Sequence, residues 1–495
     1  MNILLKKGDV FDEDCDVLVL GAFQVEKAVE MSFEDDGGFI TRLLEHMNHD
    51  QFKAKEGNVY VYRAFDELPA NRVLVVGLGK REEISSETVR IAAGAAFNKA
   101  KSFKVKKVIV DLLGLDQEIS AYDSAQAIIE GIRLADYTFA KYKKDEGKSP
   151  DEVVVMTEDG RVIKTLQRGI DEAEQTSAAT TFARDLVNTP GSEMHPDRLV
   201  EVARELAKGK SEVRVRVYNQ EQLEKMGAGG IVGVGQGSKK PSHLVHMIYK
   251  PEKTTKKKVC LVGKAVTFDS GGLCLKPHKS MTTMKVDMGG AAAVLGVFSV
   301  INKLSPKMEV HGIFAPVENM PSGDAIRPGD VLRMLNKKTV EVINTDAEGR
   351  LTLADMLVYA EKQKPDFIID LATLTGACVV GLGEEITGLM SNNAKLANNI
   401  LDAAARTGEK MWELPLEKNY KQLIKSEIAD IKNLGNGWGG ALTAGLFLQE
   451  FVKETPWAHL DIAGPTYAER PINSYTKKGA TGHGVRTLIE LLRNV

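Results

Sequence analysis

Short apolar runs alternate with stretches of helical spacing along most of the chain. Asp16–Phe23 (DVLVLGAF) and Arg72–Gly79 (RVLVVGLG) are almost continuously apolar, with glycine at or near their ends. That pattern predicts strands buried on both faces. Ser85–Ser102 carries apolar residues at helical spacing, and Ser86 followed by Glu87 suits a helix start. Lys107–Leu113 predicts a further strand, Ala121–Tyr142 a helix and Glu152–Met156 a closing strand. This order of elements implies an α/β domain with a mostly parallel sheet.

Gly147–Asp151 (GKSPD) is a polar, turn-rich break. Val162–Asn188 then predicts one long helix, stopped at Asn188-Thr-Pro-Gly because the residue before a proline avoids the helical region. Beyond His195-Pro196 the alternation resumes. Strands are expected at Glu212–Tyr218, Leu244–Tyr249, Lys258–Gly263, Glu309–Pro316, Val340–Asn344 and Asp366–Leu371. Helices are expected at Pro196–Lys208, Gly290–Leu304 and Thr352–Gln363. The expected organisation is a smaller N-terminal α/β domain over 1–160, a linker helix over 161–188 and a larger α/β domain over 189–495 with a mixed, mostly parallel sheet. No internal repeat or low-complexity tract is present. The basic run Lys253–Lys258 (KTTKKK) reads as a solvated loop before a strand.

Composition adds little to the picture but excludes some classes. The 495 residues are 43% hydrophobic and 27% charged, enough for a sizeable core without staples. A net charge of −3 gives no overall pull toward nucleic acid or an anionic membrane. The four cysteines, Cys15, Cys260, Cys274 and Cys378, form no C-x-x-C pair and no disulfide framework, so they read as free, mostly buried thiols of a reducing compartment. The N-terminus lacks the long apolar stretch of a secretory signal, and no run reads as the ~20 apolar residues of a membrane span. Cytoplasmic residence is the expectation.

Candidate chemistry concentrates in two segments. Val262–Gly290 (VGKAVTFDSGGLCLKPHKSMTTMKVDMGG) begins where a strand ends and carries Lys264, Asp269, Lys276, Lys285 and Asp287. In open α/β sheets, ligands gather at the carboxyl ends of strands. Glycines at Gly271–Gly272 and Gly289–Gly290 let backbone approach closely. Ile343–Asp355 (INTDAEGRLTLAD) also leaves a strand, and an extended backbone would put Asp346 and Glu348 on one side, with Arg350 following. Together the segments supply four carboxylates, Asp269, Asp287, Asp346 and Glu348. Buried together without counter-charge they would repel and take up protons. Two divalent cations would balance them, and oxygen-rich ligands suit Mg, Mn or Zn. A surface ion-pair network with Lys264, Lys276, Lys285 and Arg350 is the competing account of the same residues.

Other motifs carry less. Gly233–Ser238 (GVGQGS) lacks the last glycine of a dinucleotide loop and reads as a plain loop. Gly263-Lys264 lacks the upstream glycine of a phosphate loop, and Ser270 lacks the glycine two before it that a nucleophile elbow needs. There is no H-E-x-x-H. His278 reads as a loop histidine, and His459 and Asp461 (WAHLDIAG) as residues that orient structure near a strand.

NTDAEGRL at Asn344–Leu351 resembles the signature of the leucyl aminopeptidase family, the cytosol aminopeptidases. VGKAVTFDSGG at Val262–Gly272, MKVDMGGAAAV at Met284–Val294, ATLTGA at Ala372–Ala377, GGALTAGLFLQEFV at Gly439–Val452 and WAHLDIAG at Trp457–Gly464 are similar to the same family, in order. The resemblance implies a catalytic α/β domain behind a smaller one, and a homohexamer built as a dimer of trimers. It implies two divalent metal ions per subunit, Mn or Zn, held by Lys264, Asp269, Asp287, Asp346 and Glu348. Lys276 and Arg350 would be the catalytic residues that are not ligands, with bicarbonate at Arg350. Met284, Thr373, Gly376 and Ala463 would line a substrate pocket for leucine-like N-terminal residues. The implied reaction is hydrolysis of a peptide's first bond by a metal-activated water. The family's lysine ligand binds only as a neutral amine, so a neighbouring cation must depress its pKa. At Gly482–Gly484 (GHG) the sequence departs from the family, where an aromatic residue or arginine often stands. A catalytically idle relative acting as a DNA-binding regulator is the alternative in another class, and a metal-dependent phosphohydrolase is a third. Retention of all seven motif residues and the −3 charge both weigh against the DNA-binding regulator.

Overall fold

The computed structural model describes residues 1–494 except 27, 33–37, 65–66, 116–118, 144–146 and 253–256. Of the basic run expected as a loop, positions 253–256 lie outside the described residues. The chain divides into two compact units, one of residues 1–178 with 470–478 and one of 179–469 with 479–495. The division falls inside the 26-residue helix Ile163–Asn188. Its Leu166, Ile170 and Ala173 join a core of the first unit, and its Ala179, Ala183, Leu186 and Val187 join the core of the second. Nothing in the sequence pattern pointed to the return of Arg470–Lys478 to the first unit.

The first unit's sheet runs Asn2–Lys7, Glu152–Thr157, Lys107–Val110, Cys15–Gln24, Ala70–Gly77, Val59–Arg63, with Val29–Met31 added to the fourth strand. The first five of these pair in parallel and Val59–Arg63 closes antiparallel. Successive side chains of a strand point to opposite faces. Val17 and Val19 therefore join one core with the helices Ser86–Ser102 and Ala121–Asp136, while Leu18 and Leu20 join another with Phe39–His49. Ser85 caps the first of those helices by accepting from Thr88 N at 3.2 Å. Two edge strands lay outside the sequence reading, and one expectation needs correction. The edge strands Asn2–Lys7 and Val59–Arg63 went unread because neither is a continuous apolar run. The helix expected to reach Tyr142 stops at Asp136, where Tyr137 turns extended (ψ 133°).

The second unit is built on an eight-stranded sheet in the order Met411–Glu413, Thr387–Ser391, Trp457–Asp461, Phe367–Ala372, Lys258–Gly263, Glu309–Phe314, Leu244–Tyr249, Val213–Tyr218. The four middle strands, from Trp457–Asp461 to Glu309–Phe314, are mutually parallel, with antiparallel pairings on either side. The sheet is thus mixed, and both faces are covered. Val259 and Leu261 face a core with the helices Pro196–Ala207, Gly289–Leu304 and Val485–Asn494, while Cys260 and Val262 face one with Gly349–Glu361 and Gly440–Gln449. Register places Gly263 opposite both Phe314 and Leu371, so the loops that follow leave the sheet at one level.

Met284–Leu304 does reach the length and apolar character of a membrane span, contrary to the sequence expectation, but it is mostly buried inside the protein. An all-round apolar helix is what the centre of a large α/β layer requires. Gly233–Gly235 ends a short helix, Gly229–Gly235, rather than lying in a loop. All four cysteines are unbridged, three of them buried.

A buried polar knot joins two of the central strands. Asp370 accepts from Trp457 Nε1 at 2.7 Å and pairs with His459 Nδ1 at 2.6 Å, all three side chains being inaccessible. Burial pushes toward neutral histidine, but Asp370 overrides it and raises the His459 pKa above its usual value. Replacing Asp370 by alanine leaves both donors buried without an acceptor. The expected cost is about 3–5 kcal/mol, the range for breaking a buried pair. Denaturant unfolding followed at Trp457 should show it, and a midpoint like that of the unmodified protein would contradict this account.

Candidate metal centre

The site forms where the parallel strands end. Lys264 follows the strand Lys258–Gly263 directly. Its amide donates to Leu371 O at 3.0 Å and its carbonyl accepts from Ala291 N at 2.8 Å, which fixes its backbone from both sides. Gly263 and Gly290 make this possible: a Cβ on Gly263 would come within 2.6 Å of the Gly290 carbonyl, and one on Gly290 within 2.7 Å of Lys264 N. Asp269 ends the short strand Val266–Asp269, paired with Asn319 of Val317–Asn319. Asp287 lies in the single-turn segment Met284–Met288 that leads into the apolar helix.

Asp346 and Glu348 reach the same place by a different route from the one expected. The strand before them, Thr339–Glu341, belongs to a three-stranded side sheet and not to the main one. The backbone between them is not extended either. It turns at Thr345–Asp346, and Glu348 is already helical (φ −78°, ψ −36°) as the residue before the helix Gly349–Glu361. Even so, ligand oxygens of Asp269, Asp346 and Glu348 lie within 4.8 Å of one another.

Two lysines enter this cluster. Lys264 Nζ lies 2.7 Å from Asp287 Oδ1 and 2.8 Å from Glu348 Oε1, and it donates to Thr373 O at 3.0 Å. Lys276 Nζ lies 2.9 Å from Asp269 Oδ2 and 2.6 Å from Asp346 Oδ1. The group is not a surface network, since Lys264, Asp269, Asp287 and Glu348 are each no more than 3% exposed. Lys285 does not join it: its ammonium donates to Asn188 O at 2.6 Å, at the carboxyl end of the long helix. Arg350, 5% exposed, donates from Nη1 to Asn433 O at 2.7 Å and makes no ion pair with the acids.

Burial dominates the electrostatics. It would discharge the Lys264 ammonium, but Asp287, Glu348 and Asp269 raise its pKa above the ordinary lysine value. Lys276 is raised in the same way, burial being overcome by Asp269 and Glu348. Burial also raises Asp269, with Glu348 adding to it, and raises Asp287 strongly against the pull of Lys264. Asp346 is raised by burial and by Asp269. Arg350 is pulled down to about 10 by burial, against the pull of Glu348 and Asp461. The ammonium contacts do not satisfy every acceptor. Asp287 Oδ2 has no donor, and Asp346 Oδ1 and Glu348 Oε1, though near an ammonium, are not aligned for a hydrogen bond; Arg350 Nε has no acceptor. Buried polar atoms without partners are costly, so the unpartnered Asp287 Oδ2, in a group of four acids that two ammonium groups only half neutralise, points to a cation.

Several supports carried no sequence signal. Asn319 Nδ2 donates to Asp269 Oδ1 at 2.8 Å and to Thr345 O at 3.0 Å. Thr345 Oγ1 donates to Gly271 O at 2.6 Å and accepts from Cys274 N at 2.8 Å. Asn433, fully buried, accepts from Ile343 N and donates to Asn344 O at 2.8 Å each. Lone asparagines in irregular segments show no periodicity that would mark them.

Three of the four candidate pocket residues follow neighbouring strands. Met284 is half-buried at the start of its turn, and Thr373 is buried directly after Phe367–Ala372. Gly376 is exposed at the start of a short helix, with nothing within 4 Å of where a Cβ would stand. Ala463 is half-buried after Trp457–Asp461. Asp461 ties two of these loops, accepting from Leu374 N and Ala463 N at 3.2 Å each and from Thr375 Oγ1 at 2.7 Å. Its expected orienting role is thereby explained. His278 opens one exposed helical turn. In the GHG departure, half-buried His483 contacts Thr387 Oγ1 through Nε2 at 2.7 Å, and Gly484 N donates to Glu409 at 3.0 Å.

Comparison with known proteins agrees over both units. The catalytic-domain model of the cytosol aminopeptidase family matches residues 181–489, and its N-terminal-domain model matches residues 19–146. A probable cytosol aminopeptidase of Nostoc punctiforme is 45% identical over 484 residues, covering 96% of this chain and 95% of that protein. Another, from Alkaliphilus oremlandii, is 40% identical over 503 residues and covers 100% of both. Among solved structures, a mutant of tomato leucine aminopeptidase matches with a TM-score of 0.88 at 36% identity, over 100% of this chain and 97% of that one. The bottromycin maturation enzyme BotP in complex with Mn matches with a TM-score of 0.86 at 35% identity, over 97% and 99%.

Asn433 offers a test of how the acidic turn is held. Asn433→Ala strips an acceptor and a donor from the buried loop, at an expected cost of roughly 1–3 kcal/mol. Amide exchange at Thr345–Glu348 should accelerate in the variant. Unchanged protection there would mean the turn is held by something else.

Proposed function

The chain belongs to the cytosol aminopeptidase family, a family of metal-dependent aminopeptidases, and on that premise we propose that it removes N-terminal leucine and other apolar residues from peptides, using two divalent ions held by Lys264, Asp269, Asp287, Asp346 and Glu348. The observation that carries this reading is the carboxylate cluster of Asp269, Asp346 and Glu348 within 4.8 Å, with Asp287 Oδ2 buried and without a donor nearby and only two ammonium groups set against the four acids. An oxygen-rich set with one amine fits Mn or Zn. The Mn complex of the structural relative BotP supports the first of these.

Bound there, the cation pair would polarise the scissile carbonyl and lower the pKa of a water, and a bicarbonate at Arg350 would carry a proton. The chain's own residues do the rest. Lys276, whose side chain is 13% exposed, is the cationic donor that reaches both the acids and the open side of the site, where oxyanion charge would grow. Arg350 Nε, buried and without an acceptor, suits one edge of a planar oxyanion. Met284, Thr373, Gly376 and Ala463 would form the wall against the substrate's first side chain, and the open space at Gly376 leaves room for it. We further propose a homohexamer, with exposed apolar residues such as Val380 (90%) and Trp438 (79%) as candidates for its interfaces.

Asp346→Asn combined with Glu348→Gln is expected to abolish release of p-nitroaniline from leucine p-nitroanilide while leaving the fold intact. Chelation should silence the unmodified protein and added Mn or Zn should restore it. Normal cleavage by the double variant would refute the ligand assignment.

Proton linkage provides a separate check. Asp287, Glu348 and Asp269 hold the Lys264 proton, so a cation must displace it to reach the nitrogen. Metal affinity should therefore rise with pH and binding should release protons. A substrate α-amine, with a reference pKa of ~7.7–8.0, must also be neutral to bind, so activity should climb into mildly alkaline pH. Calorimetric titration in buffers of different ionisation enthalpy measures the release, and binding without any would contradict lysine ligation.

A further inference from the structure

We propose that Thr373 is a positioning residue of this metal centre, whose hydroxyl fixes which oxygen of Asp287 faces the cation; the inference rests on the two-ion reading above.

Thr373 is the first residue after the strand Phe367–Ala372, and Leu371, two residues before it, lies opposite Gly263. Register thus brings it beside Lys264. It makes two contacts with the site. Its Oγ1 donates to Asp287 Oδ1 at 2.7 Å, and its carbonyl accepts from Lys264 Nζ at 3.0 Å. Asp287 Oδ1 also receives Lys264 Nζ at 2.7 Å. Two donors fill that oxygen and leave Oδ2, buried and without a donor, as the oxygen available to a cation. Without the hydroxyl, the carboxylate can rotate and share Lys264 between its oxygens. Partners behind a metal ligand commonly contribute 10–100-fold in affinity by fixing it in this way. The carbonyl contact has a complementary effect. A neutral lysine amine keeps N–H donors, and Thr373 O holds one of them, which orients the nitrogen lone pair. Asp269 shows the same division of labour: Gly271 N and Asn319 Nδ2 fill Oδ1, while Oδ2 faces Lys276.

A pocket role alone would depend on the shape of Thr373, not on its hydroxyl. Valine preserves that shape and removes only the donor, while serine preserves the donor. Metal-free protein is titrated with Mn by calorimetry and by electron paramagnetic resonance. Unmodified protein should take two ions per subunit. Thr373→Val should bind one with unchanged affinity and the other about 10–100-fold more weakly. Thr373→Ser should restore the second, and excess Mn should recover kcat in the valine variant with KM for an apolar substrate unaltered. If valine prevents folding, Thr373→Ala carries the same titration with the same expected loss. The proposal is overturned if the valine variant binds both ions normally, or if serine is weakened as much as valine. Unmodified protein taking fewer than two ions would overturn the two-ion reading and this inference together, which separates that failure from the first two.

Discussion

The catalytic unit is organised around an electrostatic problem: four carboxylates converge in a space where Asp269, Asp287 and Glu348 are no more than 3% exposed. Burial alone would protonate them, as the raised values of Asp269, Asp287 and Asp346 show. Two ammonium groups offset part of the charge, Lys264 between Asp287 and Glu348 and Lys276 between Asp269 and Asp346. Two positive charges against four negative ones leave the cluster electrostatically unfinished. Replacing such a cluster with apolar residues is often neutral or stabilising. Its presence is therefore better explained by a ligand than by stability.

Holding this cluster requires rigidity from several directions. The parallel register brings the exits of Lys258–Gly263 and Phe367–Ala372 to one level. Gly263 and Gly290 let the apolar helix approach those exits closely enough for Ala291 N to reach Lys264 O. Neutral donors then hold the acids: Asn319 on Asp269 and Thr373 on Asp287. Asn433 spans the backbone on either side of Asp346 by contacting Ile343, Asn344 and Ala347. These amides and hydroxyls add no net charge, so they restrain the acids without neutralising them.

The strands with continuous apolar runs were the most legible part of the sequence. Leu244–Tyr249 and Lys258–Gly263 fall where the pattern put them, because strands covered on both faces need no polar positions. Asn2–Lys7 escaped because an edge strand tolerates the polar and charged residues it carries. The strand Thr387–Ser391 (TGLMS) escaped because it carries no continuous apolar run. At the site, the grouping of Asp269, Asp346 and Glu348 was legible from motif order, but its geometry was not. An alternation rule put Asp346 and Glu348 on one side of a strand, whereas a turn and the start of a helix bring them together. Lys285 lay in the same motif as Asp287 yet faces the long helix, since in a single tight helical turn residues two apart point in different directions. Asn433 could not be anticipated, because its role comes from contacts across more than eighty residues.

The choice between lysine and arginine within the site follows from the same charge argument. A lysine holds a compact charge but can lose its proton and offer a lone pair; an arginine cannot do so at any ordinary pH. Lys264 lies deepest among the acids, where an arriving cation can displace its proton and leave the amine as a ligand. Arginine there would keep its charge and compete with the cation for the same oxygens. Arg350 meets the opposite requirement. Even pulled down to about 10, it remains charged at neutral pH, and its nearest hydrogen-bond partner is the neutral carbonyl of Asn433. A fixed positive charge beside an acidic cluster, not neutralised by a direct ion pair, can hold an anion where the acids alone would repel it. The titratable cation therefore stands where a metal is proposed to enter, and the permanent one where an anion is.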